Sequence, residues 1–398
     1  MDMRGVVRRA MKSAAAGVLH HSGLRKALAA YRRHQSGGRR ILIVSYHRVV
    51  EDFFGELQRS IPGLLISQET FRRHLEGLSA AGYKFATLGE ALDVMSGART
   101  AHDDLCVVTF DDGYRDVYRY AYPVLKEMGV PAITYLPADL IGTNYRFNHD
   151  RLFHLVHSVQ AKGYQPLFDV LPEPAAGLMV EVMSGRKRLS AALDDFIGVH
   201  SSATLMDTIR ALEERLGPDA QLLPEQGDLM DWDEVRTMSR DGFEFGAHTL
   251  GHVVLTHEPL DVVEREVRES KAVIERELGK PVRDFAYCNG WYSDDVIDVL
   301  MRNGFRSAVT TEDMNNRIGG NPFTLKRKVL WENFSVGVTG GYSSSLTVCQ
   351  LDDCFGTLGM REPVLGRRPQ RLKKEGQEVL PSGANTANPI IMTEGAAW

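Results

Sequence analysis

The stretch Val107-Val108-Thr109-Phe110-Asp111-Asp112-Gly113-Tyr114 decides how this chain is read. It is an apolar β run that stops at two adjacent carboxylates and a glycine turn. Acid groups are thereby placed at the carboxyl end of a strand, where α/β proteins carry their chemistry. A second polar cluster, His248-Thr249-Leu250-Gly251-His252, follows another strand-like run, Phe243 to Gly246. An acidic strand end and a two-histidine strand end together suggest a mononuclear metal site with a spare carboxylate beside it.

Paired carboxylates alone decide little. Asp-Asp occurs five times, at 103–104, 111–112, 194–195, 294–295 and 352–353. A solvated turn or helix cap accounts for four of these. Asp294-Asp295 follows Ser293 at a helix start, and Asp194-Asp195 sits in a helical pattern. Only Asp111-Asp112 directly follows an apolar β run and precedes a glycine turn.

The 398 residues are 43% hydrophobic and 25% charged, an ordinary globular composition. Cys106, Cys288, Cys349 and Cys354 have neither zinc-ribbon nor disulfide-framework spacing, so a reducing compartment is expected. The net charge of −5 conceals an asymmetry: residues 1–40 carry ten Lys/Arg and one Asp, a net of +9, which leaves −14 on the rest. Within that arm Val7, Met11, Ala14, Ala15 and Val18 fall on one helical face, with Arg8, Arg9 and Lys12 elsewhere. The arm reads as a basic amphipathic helix, either packed on the domain or docked to an anionic membrane surface or acidic partner. It makes a poor signal peptide, and no run of 18 apolar residues exists. A cytoplasmic location with possible membrane association is therefore expected, and no nucleic-acid partner.

From residue 41 strand and helix alternate. Ile41–Tyr46 is an apolar strand that ends in His47. A helix follows Ser67, and Leu105–Phe110 is the strand of the opening stretch. Val117–Met128 reads as a helix with Gly129 as its stop, and Val130–Leu136 as the next strand. Residues 144–228 interrupt the rhythm as a helical insertion on a βα loop. The alternation resumes through Phe243–Gly246, Phe285–Cys288, Ser307–Thr311 and Leu325–Leu330. The pattern predicts an α/β fold, a distorted (β/α) barrel over 41–335, followed by a C-terminal extension (336–398) disordered after about 360.

Most of the thirteen histidines have ordinary explanations. His154 and His157 sit on an apolar helix face, and His74 beside Arg72 and Arg73 reads as surface. His248 and His252 differ, because Gly246, Ala247 and Gly251 leave open space around them. His47 closes the first strand as Asp111 closes a later one, and barrel strand ends converge on one face. A strand-end histidine bonded to a loop carbonyl is the alternative for His47.

These motifs resemble those of the polysaccharide deacetylases, the NodB-homology group of carbohydrate esterase family 4. Thr109-Phe110-Asp111-Asp112-Gly113 and His248-Thr249-x-x-His252 match its first and second motifs. Phe285-Ala286-Tyr287-Cys288-Asn289-Gly290 resembles its third. Ser45-Tyr46-His47-Arg48-Val49 resembles the opening of a branch with circularly rearranged motifs. The resemblance implies Asp111 as general base and Asp112, His248 and His252 as ligands of Zn²⁺ or another divalent transition metal. It implies His47 as general acid and the Asn289 backbone N–H as an oxyanion donor. Cys288 stands where the family usually has Pro, and Ala286 where many members have the Arg that orients the base. The Asp228–Trp232 segment reads as capping by Asp231 with Trp232 in the core.

The implied activity is metal-dependent removal of N-acetyl groups from amino sugars of a polysaccharide or glycan precursor. Tyr114, Tyr145, Phe147 and Arg151 are the candidate substrate contacts. A sugar O-acetyl esterase on the same site and a non-catalytic, metal-retaining glycan-binding module are the rival readings.

Overall fold

The computed structural model describes residues 3–35, 39–162, 171–217 and 228–357. Its ten strands are β1 (Ile41–Tyr46), β2 (Arg48–Val50), β3 (Leu65–Ser67), β4 (Tyr83–Phe85), β5 (Asp104–Phe110), β6 (Ala132–Leu136), β7 (Glu244–Ala247), β8 (Asp284–Ala286), β9 (Ser307–Val309) and β10 (Lys328–Val329). Eight of them form one sheet in the order β10-β1-β5-β6-β7-β8-β9, with β4 also on β5. Every pairing is parallel. The sheet curls because one segment serves both edges: Leu325 bridges Val309 of β9, and Lys328–Val329 pairs with β1. This is the α/β barrel-like architecture expected. The small parallel pair β2–β3 carries no long apolar run and is not legible in the sequence.

Side-chain alternation sorts the sheet residues into two cores. Even-numbered residues of β1 and β5 (Leu42, Val44, Tyr46, Cys106, Val108, Phe110) pack with Phe71, Leu75 and Leu78 of the helix Gln68–Ala80. Odd-numbered ones (Ile41, Ile43, Val107) line the inside with Ile133, Tyr135, Ala286, Val309 and Leu325, and the helix Leu88–Ser96 plugs that space. Burial on both faces explains why these strands read as continuous apolar runs.

The helix expected from Val117 to Met128 begins with a wider π turn, Val117–Ala121, before Tyr122–Met128. Asp231 caps its helix through a capping box with Glu234, and Trp232 packs against the main core. His74 corrects the surface reading: it is fully buried. Its position three residues after Phe71 puts it on the same helix face, and it bonds the Tyr46 hydroxyl at 3.2 Å and Ser335.

The insertion has a core of its own. Its helices Asn148–Lys162, Ala175–Met183, Leu189–Ile197 and Ser202–Leu216 bury Leu152, Val156, Met179, Leu193, Ile209 and Leu212 together. Residues 163–170 and 218–227 of it lie outside the described residues, as does the chain after 357, including the stretch expected to be disordered.

The basic arm forms two helices, Met3–His21 and Leu24–Gln35. Ala16 and Leu19 pack on Leu346, Cys349, Cys354 and Phe355 of the C-terminal extension. Beside this contact lies a buried polar hub. Arg40, 1% exposed, reaches Asp104 at 2.7 Å and Asp352 at 2.8 Å. Arg33 joins at Asp104 (2.8 Å), and Arg25 pairs with Asp352. Two acids from Asp-Asp pairs read as solvated are therefore structural anchors.

Breaking a buried ion network strands a desolvated charge. Arg40→Ala is expected to cost about 3–5 kcal/mol, measured by urea unfolding. His74 gives a pH signature, because burial pushes its imidazole down to about 3. The unfolded chain then binds the proton first, so this contribution is complete above about pH 6.5 and is lost as pH falls toward 3. Between pH 7 and pH 5 the parent should lose about 2 kcal/mol more stability than His74→Gln.

Candidate metal and catalytic site

Register brings the site together. Tyr46 pairs with Phe110, so His47 and Asp111 leave their strands side by side, 3.8 Å apart from Nε2 to Oδ2. Leu136 pairs with Ala247, and the His248 N–H donates to the Leu136 carbonyl at 2.9 Å. The third motif enters through β8, which pairs with β7.

Asp112 and His252 turn back through left-handed backbone, with φ of 70° and 58°. Thr249 and Asn289 share that region, so four of the five such non-glycine residues described are here. Such conformations persist only where surroundings impose them. Glu266 does so for the histidine loop: its buried carboxylate accepts the N–H groups of Leu250 (2.8 Å) and Gly251 (2.9 Å). At Gly290 (φ 72°) a Cβ would stand 2.2 Å from Thr311 Oγ1, so only glycine fits.

The Asp112 Oδ1 lies 3.3 Å from His248 Nε2 and 3.1 Å from His252 Nε2. Ligands on a single zinc ion at ~2.0–2.1 Å sit roughly 3.0–3.4 Å from one another, so this donor set fits a divalent ion. The His248 Nδ1 faces the Ala286 carbonyl at 2.7 Å, which fixes the tautomer that leaves Nε2 free to ligate. Cys288 brings a thiol within 4.8 Å of donor atoms of the two histidines. Its Sγ, however, sits 3.9 Å from His248 Nδ1, on the ring edge already used. Cys288 therefore lies behind the histidine and does not share the Asp112 side.

Asp111 is 2% exposed and points into the polar top of the inner core. Arg327, completely buried, donates from Nη1 and Nη2 to its two oxygens at 2.7 Å each. The same guanidinium donates to Thr109 Oγ1 and to the Thr310 carbonyl. Burial pushes the Asp111 carboxyl up, but Arg327 outweighs it and holds the group below the usual range. Arg327 thus fixes the direction of the Asp111 carboxylate from outside the third motif, where Ala286 carries no cation. The sequence places Arg327 in the strand-like Leu325–Leu330 without a role; the signal that could have found it is the alternation Leu325, Arg327, Val329. Burial drives His47 toward its neutral form, with Asp112 and Asp111 pulling the other way.

His47, Asp111, Asp112, His248, His252 and Asn289 all line one cavity of about 270 Å³, as do Tyr145 and Phe147. Trp291, Trp331 and His149, none of them singled out in the sequence, also contribute to its wall. The insertion supplies the far side through Asp194, Ile197 and His200. Asp194 has a buried, unpartnered Oδ2, and burial next to Asp195 pushes it up to about 7. Two expected contacts are elsewhere. Tyr114 is fully buried and its hydroxyl donates to Asp150 at 2.6 Å, with His149 at 3.0 Å, so it supports the insertion from below. Arg151 does not line the cavity; its guanidinium pairs with Glu213 at 2.7 Å across two insertion helices.

The polysaccharide deacetylase family model matches residues 98–308, more than half of the chain, a span that leaves out His47 and Arg327. The poly-beta-1,6-N-acetyl-D-glucosamine N-deacetylase of Staphylococcus epidermidis is 30% identical over 112 residues, 26% of this chain and 38% of that protein. A Staphylococcus aureus protein of the same name is 26% identical over 118 residues, 28% of this chain and 40% of its own. The chain thus spans about two-fifths of the length of these curated relatives. Among solved structures, IcaB from Ammonifex degensii aligns with a TM-score of 0.50 at 18% identity, over 79% of this chain and 98% of that one.

Removal of the guanidinium leaves burial unopposed at Asp111. In metal-free Arg327→Met the Asp111 carboxyl should titrate at least about one unit higher than in the parent, followed by carboxylate ¹³C NMR. An unchanged titration would show that Arg327 does not hold this group.

Proposed function

The chain belongs to the polysaccharide deacetylase family, and on that premise we propose that it hydrolyses the N-acetyl groups of amino sugars in a polysaccharide or glycan precursor. The observation that carries this reading is the division of labour between adjacent carboxylates. Asp112 faces two imidazole Nε2 atoms, while Asp111 is pinned by Arg327.

Asp112, His248 and His252 would hold a divalent ion, Zn²⁺ in this reading. That ion supplies, when bound, the charge that acidifies a water and polarises an acetyl carbonyl. The remaining work belongs to the chain. Asp111, kept ionised and fixed in direction by two parallel hydrogen bonds, takes the proton of the attacking water. His47, 3.8 Å from Asp111, would deliver a proton to the departing amine when it is protonated. The Asn289 N–H, at the turn held against Thr311, is the candidate donor to the developing oxyanion. Tyr145, Phe147, Trp291 and Trp331 offer apolar faces on which sugar rings stack.

Acetate release from N-acetylated oligosaccharides, with metal content of the same sample, tests this directly. Asp111→Asn should lower the rate by about 10²–10⁴-fold and keep the metal; undiminished release would sink the mechanism. His248→Ala should lose the metal, and full occupancy would refute its role as a ligand. His47→Ala should slow the reaction at least about tenfold with metal retained. Turnover of O-acetylated but not N-acetylated sugars would turn the reading into that of an esterase.

A further inference from the structure

The basic arm is not used by the site, and its outer surface is unusual. Its inner side is settled by Ala16 and Leu19 against the C-terminal helices, and by Arg25 and Arg33 on the Asp104–Asp352 hub. The apolar stripe read from the sequence faces the other way: Val7 is 56% exposed, Met11 68% and Val18 67%. At 3.6 residues per turn these three lie within about 40° of one another, and Ala14, also exposed, lies about 20° beyond Val7 at the edge of that arc. On the second helix Leu24 and Tyr31, two turns apart, are 48% and 56% exposed. Among the described residues, five of the twelve large exposed hydrophobic side chains belong to these two helices.

We propose that the outer face of residues 3–35 docks on the surface of an anionic lipid bilayer. Charge selects this occupant. Residues 1–40 carry +9 against −14 on the remainder; setting aside Arg25, Arg33 and Arg40 with their partners Asp104 and Asp352 leaves +6 against −12, so an anionic surface attracts the arm and repels the body, which orients the molecule. The sequence of the first three turns also carries Arg4, Arg8, Arg9 and Lys12, Lys12 lying over the Phe355 ring on the packed side. A second copy of the chain meeting this face would set like charge against like charge. A single apolar helix stripe among cations is what shallow interfacial insertion requires; no helix of the described residues is long and apolar enough to cross a membrane. The anchoring hub stands at the amino ends of β1 and β5, and the cavity at their carboxyl ends. Contact through the arm thus leaves the cavity open to substrate.

The test is sedimentation of the full chain with vesicles of phosphatidylcholine alone or mixed equally with phosphatidylglycerol. Binding to the mixed vesicles should fall by at least about tenfold in the triple variant Val7→Asp, Met11→Asp, Val18→Asp, and fall when salt is raised. These side chains are exposed, so circular dichroism and acetate release in solution should match the parent. Equal binding of parent and variant, or binding indifferent to phosphatidylglycerol, overturns the proposal. So does a dimer of the parent in light scattering that the triple variant abolishes, which would assign the stripe to a second copy. None of these outcomes depends on the catalytic reading.

Discussion

The buried pair between Arg327 and Asp111 is the constraint on which the site depends. An isolated carboxylate in this position would be driven to its neutral form by desolvation, and a neutral carboxyl is no base. An isolated guanidinium there is still less tolerable. The two are admissible together because the fork geometry satisfies both oxygens at once, while Thr109 and the Thr310 carbonyl take up other N–H groups. The pair also spans the structure. Asp111 follows β5, Arg327 precedes β10, and the segment 325–329 joins both edges of the sheet. The last segment of the barrel therefore brings in the residue that orients the proposed base. Buried ion pairs are poor evidence of net stability; here the gain is direction and ionisation state.

Much of this was legible in the chain. Apolar runs that end in His47, Asp111 and His248 gave three strand ends, and parallel pairing brings such ends to one face. The two-histidine loop was readable because glycine and alanine around it leave room for imidazoles. Arg327 was not: Leu325–Leu330 was readable as a strand, but a cation between Lys326 and Lys328 gives no sign of which face it takes. Only the inner-face parity of Leu325, known once β9 and β10 are placed, shows that the middle residue points inward. Arg151 failed for the complementary reason: on an insertion helix with its own core, a cation serves that core's edge and pairs with Glu213. His74 was misread because charged neighbours were weighed above its spacing from Phe71.

The Asp-Asp pairs carry the sharpest lesson. Composition cannot separate Asp104 from Asp112, and both prove to be buried. What separates them is the kind of group that faces each. Asp104 opens β5 and meets Arg40 and Arg33, fixed cations whose charge never changes. Asp112 follows the same strand and meets two imidazoles, which are neutral ligands when deprotonated and so invite an ion. A carboxylate among guanidiniums is held by charges that never leave; a carboxylate among imidazoles is held by protons that a metal ion can replace.

One strand therefore separates two functions. Asp104 and Asp111 are seven residues apart, about 23 Å along extended chain. The amino end of β5 is clamped by cations from the arm and by Asp352 from the C-terminal extension, through Arg40. The carboxyl end holds the proposed base, the proposed metal ligands and the wall supplied by the insertion. Parallel strands make this division natural, since all their carboxyl ends open on one side and all their amino ends on the other. Elements added to the sheet can then bind a surface at one end without obstructing chemistry at the other. The left-handed turns at Asp112, Thr249, His252 and Asn289 can be strained because the clamp is elsewhere. The energy that fixes the fold and the geometry that serves the reaction are held by different residues of the same strand.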